Sequence, residues 1–123
     1  THVAVLCDAK RGQAYAAAYH LHERTLHRIA GPVLDTPAGF LAGLPRPLAV
    51  LGEGVSYHRP AVDSAGVSVL SEQHWRPTAR NIFDLGLQFV QAGQHIPAAD
   101  LLPLYIRRPE AEEKWEKLHP TSG

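Results

Sequence analysis

The stretch VAVLCDAKRGQAYAAAY, Val3 to Tyr19, constrains the fold more than any other part of the chain. Two apolar runs rich in β-branched, aromatic and alanine residues flank the polar AKRG, where Gly12 supplies the positive φ that a tight reversal needs. Val3–Asp8 and Gln13–His20 are therefore read as strands paired antiparallel, with Asp8 at the end of the first. A carboxylate there has two readings. It accepts backbone N–H bonds and shapes the turn, or it is the strand-end acid of a metal-dependent site.

The rest of the chain alternates. A third strand is expected over Leu26–Val33, and Gly31 and Pro32 inside it call for an edge or a bulge. In DTPAGFLAGL, Asp35 or Thr36 is the N-cap, Pro37 fills the first turn, and Phe40, Leu41 and Leu44 share a face. PLAVLGEG, Pro47 to Gly54, reads as a buried strand stopped by glycines, followed by a short helix over Val55–Val62 and a further strand in GVSVL. After Pro77, Ile82, Leu85, Leu87, Phe89 and Val90 recur at helical spacing until Gly93. LLPLYIRRP is an extended piece, and EAEEKWEKL, Glu110 to Leu118, is a short charged helix in which Glu112 and Glu116 repel while Glu113 and Lys117 attract. Three meandering strands followed by alternating helix and strand give an α/β class with a mixed sheet and flanking helices, the plan of an RNase H-like fold.

Composition narrows the function classes. With 123 residues, 45% of them hydrophobic, the chain supports one modest core, so residues 1–123 are expected as a single domain. Twelve basic residues balance twelve acidic ones, which argues against a domain whose main work is gripping a phosphate backbone. No apolar run approaches the roughly 20 residues of a membrane span, and a cytoplasmic protein without membrane partners is expected. The one cysteine, Cys7, cannot form an intrachain disulfide and is expected as a buried, inert thiol. There is no methionine, and the chain enters a strand within three residues, as a segment of a longer protein would.

Several residues could carry chemistry. Asp8 and Glu53, each closing a strand, could begin a two-cation site, which needs a third acid because Mg²⁺ takes oxygen ligands in octahedral array. Asp35, Asp63 and Asp84 are available, although each also reads simply, as N-cap, turn and exposed helix position. Gly52 and Gly54 flank Glu53 directly after a strand. Such glycines let backbone amides approach a phosphate or ribose, or merely make a tight strand-to-helix turn; neither the dinucleotide fingerprint nor a Walker lysine is present. His20 and His22, with His27 nearby, raise zinc, but three or four ligands with ordered partners are needed, and an exposed edge strand accounts for them more simply; no metal is expected. No G-x-S-x-G elbow is present. The basic pairs Lys10–Arg11 and Arg107–Arg108 lack the aromatic surface of a base-stacking platform. Tyr105 and Trp115, in an otherwise polar tail, are expected to dock on something.

Taken together, VAVLCDAKRGQAYAAAY, LAVLGEGVSYH and the ending LLPLYIRRPEAEEK resemble the second lobe of the bacterial threonylcarbamoyladenosine biosynthesis family TsaB, also called YeaZ. The likeness runs through nearly the whole chain in order. It implies the actin-like, sugar-kinase-like ATPase fold, built of two RNase H-like lobes, with this chain as the C-terminal lobe and the first lobe missing. It also implies a non-catalytic partner, not an enzyme, supporting TsaD and the small ATPase TsaE in placing threonylcarbamoyl on the adenosine beside the tRNA anticodon. On that reading tRNA is met only through the complex, ATP belongs to the partner enzyme, no cofactor is bound by this lobe alone, and any homodimer forms through the missing lobe. Asp8, Arg11, Gly12 and Tyr15 match the family's hairpin motif, so that Asp8 and Gly12 are expected to shape a hairpin facing the cleft between lobes and Arg11 to contact whatever lies in that cleft. Gly52 and Gly54 match its glycine turn, and Pro103, Tyr105 and Arg107 its ending, so that the tail 102–123, with Tyr105, Arg107 and Trp115, is expected to dock on the missing lobe. Gln13 departs from the usual Glu, Ile106 from Leu, and Glu53 separates the turn glycines. The alternative from another class is a carboxylate-dependent metal nuclease or phosphotransferase on the same fold, and a protease lacks any metal triad or nucleophile pair to support it.

Overall fold

A computed structural model describes residues 1–120 of the chain, so the last three positions of the 102–123 tail lie outside the described residues. Strand β1 (His2–Asp8) pairs antiparallel with β2 (Ala14–His22), which pairs antiparallel with β3 (Thr25–Asp35). Helix α1 (Pro37–Ala42) leads to β4 (Leu48–Leu51), which lies parallel to β1 on its other side. Two short helices, α2 (Gly54–Tyr57) and α3 (Arg59–Ser64), precede β5 (Ser68–Val69), parallel to β4. The sheet order is β3-β2-β1-β4-β5, the mixed α/β sheet with an antiparallel meander expected from the sequence. Helices α4 (Ala79–Gln91) and α5 (Glu110–Leu118) follow. No described helix is long and apolar enough to cross a membrane.

Strand alternation separates the two faces of the sheet. Ala4 and Leu6 of β1, Ala14, Ala16 and Ala18 of β2, and Leu48 and Val50 of β4 form one core with Phe40 and Leu41 of α1, Val55 of α2 and Val62 of α3. The small alanine side chains of β2 let α1 lie close to the sheet. Leu6, Leu41, Val50, Val55 and Val62 are the largest fully buried side chains. Each contributes about 1.5–3 kcal/mol by leaving water. Arg46 ties the helices together, donating from one nitrogen to the Leu41 and Leu44 carbonyls (3.1 and 2.8 Å) and from another to Ala65 (3.0 Å).

Local chemistry sets the element ends. Thr36 caps α1 by accepting the Gly39 N–H, and Asp35 instead accepts the Thr36 N–H at 2.6 Å. The single helix expected over Val55–Val62 is divided at His58, whose φ and ψ leave the helical region. Pro60 explains the division, since a proline starts a helix readily and lacks the N–H to continue one. Strand β3 extends beyond the expected Leu26–Val33 at both ends, occupies the sheet edge, and breaks register near Gly31. Gly31 has φ +75°, and a Cβ there would lie 2.3 Å from the Ala16 carbonyl oxygen.

Two expectations are corrected. Cys7 is not in the core: it points to the opposite, exposed face, because its neighbours Leu6 and Asp8 take the helix side of β1. The reversal does not rest on Gly12 alone, for Lys10 and Arg11 also adopt positive φ (64° and 55°). Helix α4 forms as its spacing demands, yet none of its residues is buried, and Ile82, Phe83, Leu85, Leu87, Phe89 and Val90 stay 44 to 65% exposed.

The tightest approach in the fold is the β4–α2 turn against β1. Gly52 has φ +110°, and a Cβ there would sit 2.2 Å from the Leu6 carbonyl oxygen. Gly52→Ala is expected to cost about 3 kcal/mol or more through combined overpacking and backbone strain. Gly12→Ala, with φ +75° but open space around it, should cost only the left-handed penalty of about 1–2 kcal/mol. Urea denaturation of both variants measures the difference, and equal losses would show that the close approach does not matter.

Candidate functional site

The end of β1 gathers the residues that sequence singled out. Asp8 closes β1, Arg11 and Gly12 lie in the β1–β2 turn, and Gly52, Glu53 and Gly54 make the β4–α2 turn. Gly54 also faces β1, since a Cβ on it would lie 2.8 Å from the Leu6 oxygen. Both glycines are therefore spent on close packing. Glu53, between them, is brought to β1, where its Oε1 accepts the Asp8 N–H at 2.8 Å.

The Asp8 carboxylate is almost fully covered and fully engaged. Its Oδ1 lies 3.1 Å from His58 Nε2, the two side chains being 8% and 11% exposed, and also accepts the Lys10 N–H at 3.3 Å. Its Oδ2 meets the Lys10 ammonium at 3.0 Å. The hydrogen bond from Lys10, with its backbone N–H and His58 adding, holds the Asp8 carboxyl below the usual carboxylate range. Asp8 in turn raises the Lys10 ammonium. That ammonium also stands 5.1 Å from the centre of the Tyr57 ring, within cation–π range.

The structure does not bring a third acid to Asp8 and Glu53. Asp35 holds the start of α1, Asp63 pairs with Arg59 at 2.9 Å, and Asp84 pairs with Arg80 at 2.9 Å. Among the described residues, no three His, Cys, Asp or Glu side chains are arranged to hold a metal ion. The positive charge beside Asp8 is instead the Lys10 ammonium, 3.0 Å from Oδ2.

Around the other side of the turn, the tail returns to the hairpin. Arg107 donates to the Ala9 carbonyl at 2.8 Å and to Gln13 Oε1 at 3.0 Å. Gln13 thus keeps the acceptor that a glutamate would have offered. Arg11 does not face the Asp8 cluster; it reaches Glu113 of α5 at 3.3 Å and Glu110 at 3.8 Å. Glu113 is thereby engaged by Arg11, while the expected repulsion of Glu112 and Glu116 is relieved because Arg108 pairs with both. Leu104 to Arg107 and the residues Cys7 and Tyr15 line an open cleft of about 410 Å³. Partial burial there, with the Glu53 charge adding, pushes the Cys7 thiol up, away from the reactive thiolate. Tyr105 and Trp115 remain 71% and 61% exposed, Trp115 stacking on His119 with ring centroids 4.6 Å apart.

No protein-family model and no curated protein matches the chain. Among solved structures it is similar to the crystal structure of an uncharacterized protein with similarity to peptidase YeaZ from Pseudomonas aeruginosa. The TM-score is 0.64 at 20% identity, over 86% of this chain and 49% of that one. The chain shares the fold of this YeaZ-like structure. It spans about half of that protein's length, and the mixed sheet with its flanking helices is compatible with an RNase H-like lobe.

His58 was not singled out by sequence, and Lys10 was named only as half of a basic pair. Lys10 lay within the predicted turn and carried only a generic basic signal, whereas His58 is 50 residues from Asp8. The available clue was its spacing from the glycine turn, because one helical turn from Gly54 returns the chain toward β1.

Because the folded-state pKa of Asp8 is depressed, its stabilisation is present above the ordinary carboxylate pKa and lost as pH falls through the folded value. Asp8→Asn should lower the melting temperature at neutral pH by several degrees, and the gap from wild type should close as the solution is acidified. Thermal melts across that range test this. A gap unchanged into strong acid would show that charge at Asp8 contributes nothing.

Proposed function

We propose that this chain serves as a non-catalytic partner in threonylcarbamoyl transfer to the adenosine beside the anticodon of tRNA, supporting a TsaD-like enzyme together with a TsaE-like ATPase. Two lines support the reading. The hairpin, glycine-turn and ending motifs occur in the order of the TsaB family, and the fold is that of a YeaZ-like structure. On this reading tRNA is met through the complex and ATP is bound by the partner enzyme.

The observation that carries the non-catalytic part is how the Asp8 site is filled. A phosphoryl-transfer or two-cation hydrolase needs carboxylates free to take a metal and a turn free to take phosphate. Here Asp8 is engaged by Lys10 and His58, Glu53 by the Asp8 N–H, and the turn glycines by the β1 backbone. The same residues that would do chemistry hold the hairpin to the sheet.

The test is a reconstituted threonylcarbamoylation reaction lacking only its TsaB component, supplemented with this polypeptide in the full length its gene encodes. Restored modification is the expected result. Failure with a folded protein and active partners would overturn the proposal and return attention to Asp8 and Glu53 in a metal-dependent nuclease or phosphotransferase. Asp8→Ala in the same assay should lower the melting temperature more than it lowers modification, and abolished modification at unchanged melting temperature would give Asp8 a direct role.

A further inference from the structure

The β2–β3 hairpin carries one free edge of the sheet. Its reversal is a two-residue turn in which Glu23 and Arg24 both take positive φ (45° and 66°), and the pairing continues as His22↔Thr25, Leu21↔Leu26, His20↔His27 and Tyr19↔Arg28. In such a turn the flanking pair, here His22 and Thr25, exchanges hydrogen bonds, and the antiparallel ladder alternates from there. The N–H and C=O groups of Leu26 and Arg28 therefore point away from β2, where β3 has no neighbouring strand among the described residues. The opening ends at the irregularity beyond Arg28, followed by Gly31 and Pro32.

The charge around those groups has one sign. Arg24 and Arg28 make no ion pair among the described residues, in contrast with Arg11, Arg59, Arg80 and Arg108. Between His20 and Leu34 the sequence holds a single acid, Glu23, which lies 3.9 Å from His22 Nε2. Leu26 and Arg28 belong to the open face of the sheet, because their partners Leu21 and Tyr19 alternate along β2 with the buried Ala14, Ala16 and Ala18. Leu21 and Leu26 form an exposed apolar cross-strand pair on that face. Arginines on an edge strand repel a basic strand and leave the edge open to an acidic one.

We propose that Thr25–Ala30 accepts an extended acidic segment of a partner protein as a sixth, antiparallel strand. Its main chain exchanges a pair of hydrogen bonds with Leu26 and another with Arg28, and these supply affinity while alternate side chains supply specificity. The residue opposite Leu26 is apolar and the one opposite Arg28 is acidic. The next residue on the same face, beside the turn, meets Arg24 with a second acid, so the recognised pattern is acid-x-apolar-x-acid. A carboxylate arriving at an arginine that lacks an acidic partner makes a charge-assisted bond, stronger than a neutral one. A second copy of this chain is a poor occupant, since two β3 edges laid side by side bring the arginines of both onto one seam.

The test is an NMR titration of the isotopically labelled chain, at low ionic strength, with the blocked heptapeptide Thr-Glu-Thr-Val-Thr-Glu-Thr. Saturable binding is expected, with shift changes and slowed amide exchange centred on Leu26 and Arg28, and it should weaken as salt is added. The same peptide with lysine in place of glutamate, or with its valine N-methylated, should bind about tenfold more weakly or worse. Leu26→Pro removes an N–H that points outward and none that faces β2, so circular dichroism should show the sheet intact while binding falls by a similar factor. Arg28→Glu should reverse the preference between the glutamate and lysine peptides. Absence of saturable binding, shifts that map elsewhere, equal binding of the lysine peptide, or sedimentation as a dimer paired through β3 overturns the proposal. The titration uses no tRNA-modifying partner, so its failure leaves the threonylcarbamoylation proposal standing.

Discussion

The structure depends on how closely the β4–α2 turn can approach the backbone of β1. Two glycines are needed because the Leu6 carbonyl occupies the space where their side chains would be. Once the turn is seated, Glu53 reaches the Asp8 N–H, and one turn of helix later His58 reaches the Asp8 carboxylate. The end of β1 is thereby fixed from two directions. Lys10 can then close on Asp8 across a turn that contains two non-glycine residues with positive φ, a conformation that costs energy unless such contacts offset it. A steric fact about two hydrogens in place of side chains thus governs the electrostatics of the whole corner.

The tail extends the same logic. Arg107 uses a guanidinium to satisfy the Ala9 carbonyl and Gln13, so the outside of the hairpin turn is held as firmly as the inside. Arg11 is drawn toward Glu110 and Glu113 and away from Asp8. These outer ion pairs are exposed and individually weak. Their significance is positional: they decide which basic side chain remains near the Asp8 corner.

Sequence made the elements legible and left the contacts between them largely hidden. The apolar run Val3–Asp8, the Thr36 cap and the spacing of Ile82 to Val90 are local signals, and the corresponding strand and helices form where those signals lie. Asp8, Glu53 and the two turn glycines were also legible, because each sits at a strand end. His58 was not, since its role arises only when a chain segment 50 residues away folds back. Cys7 was misplaced for a related reason: an apolar run reveals that a strand is buried on at least one face, and only the flanking helices decide which face that is.

The two margins of the sheet are unequal. At one, β3 carries Pro32, which has no N–H to offer, beside the irregularity at Gly31; at the other, β5 is two residues long. The β5 margin is too short to template a visiting strand, whereas β3 keeps the stretch Thr25–Ala30 open ahead of that break. Among the described residues, any recognition by β-augmentation is thus confined to the Thr25–Ala30 stretch of the β3 margin. Elsewhere on the described surface a partner must read side chains, on the open sheet face or along the apolar ridge of α4, and there specificity is written in shape and charge rather than in main-chain hydrogen bonds.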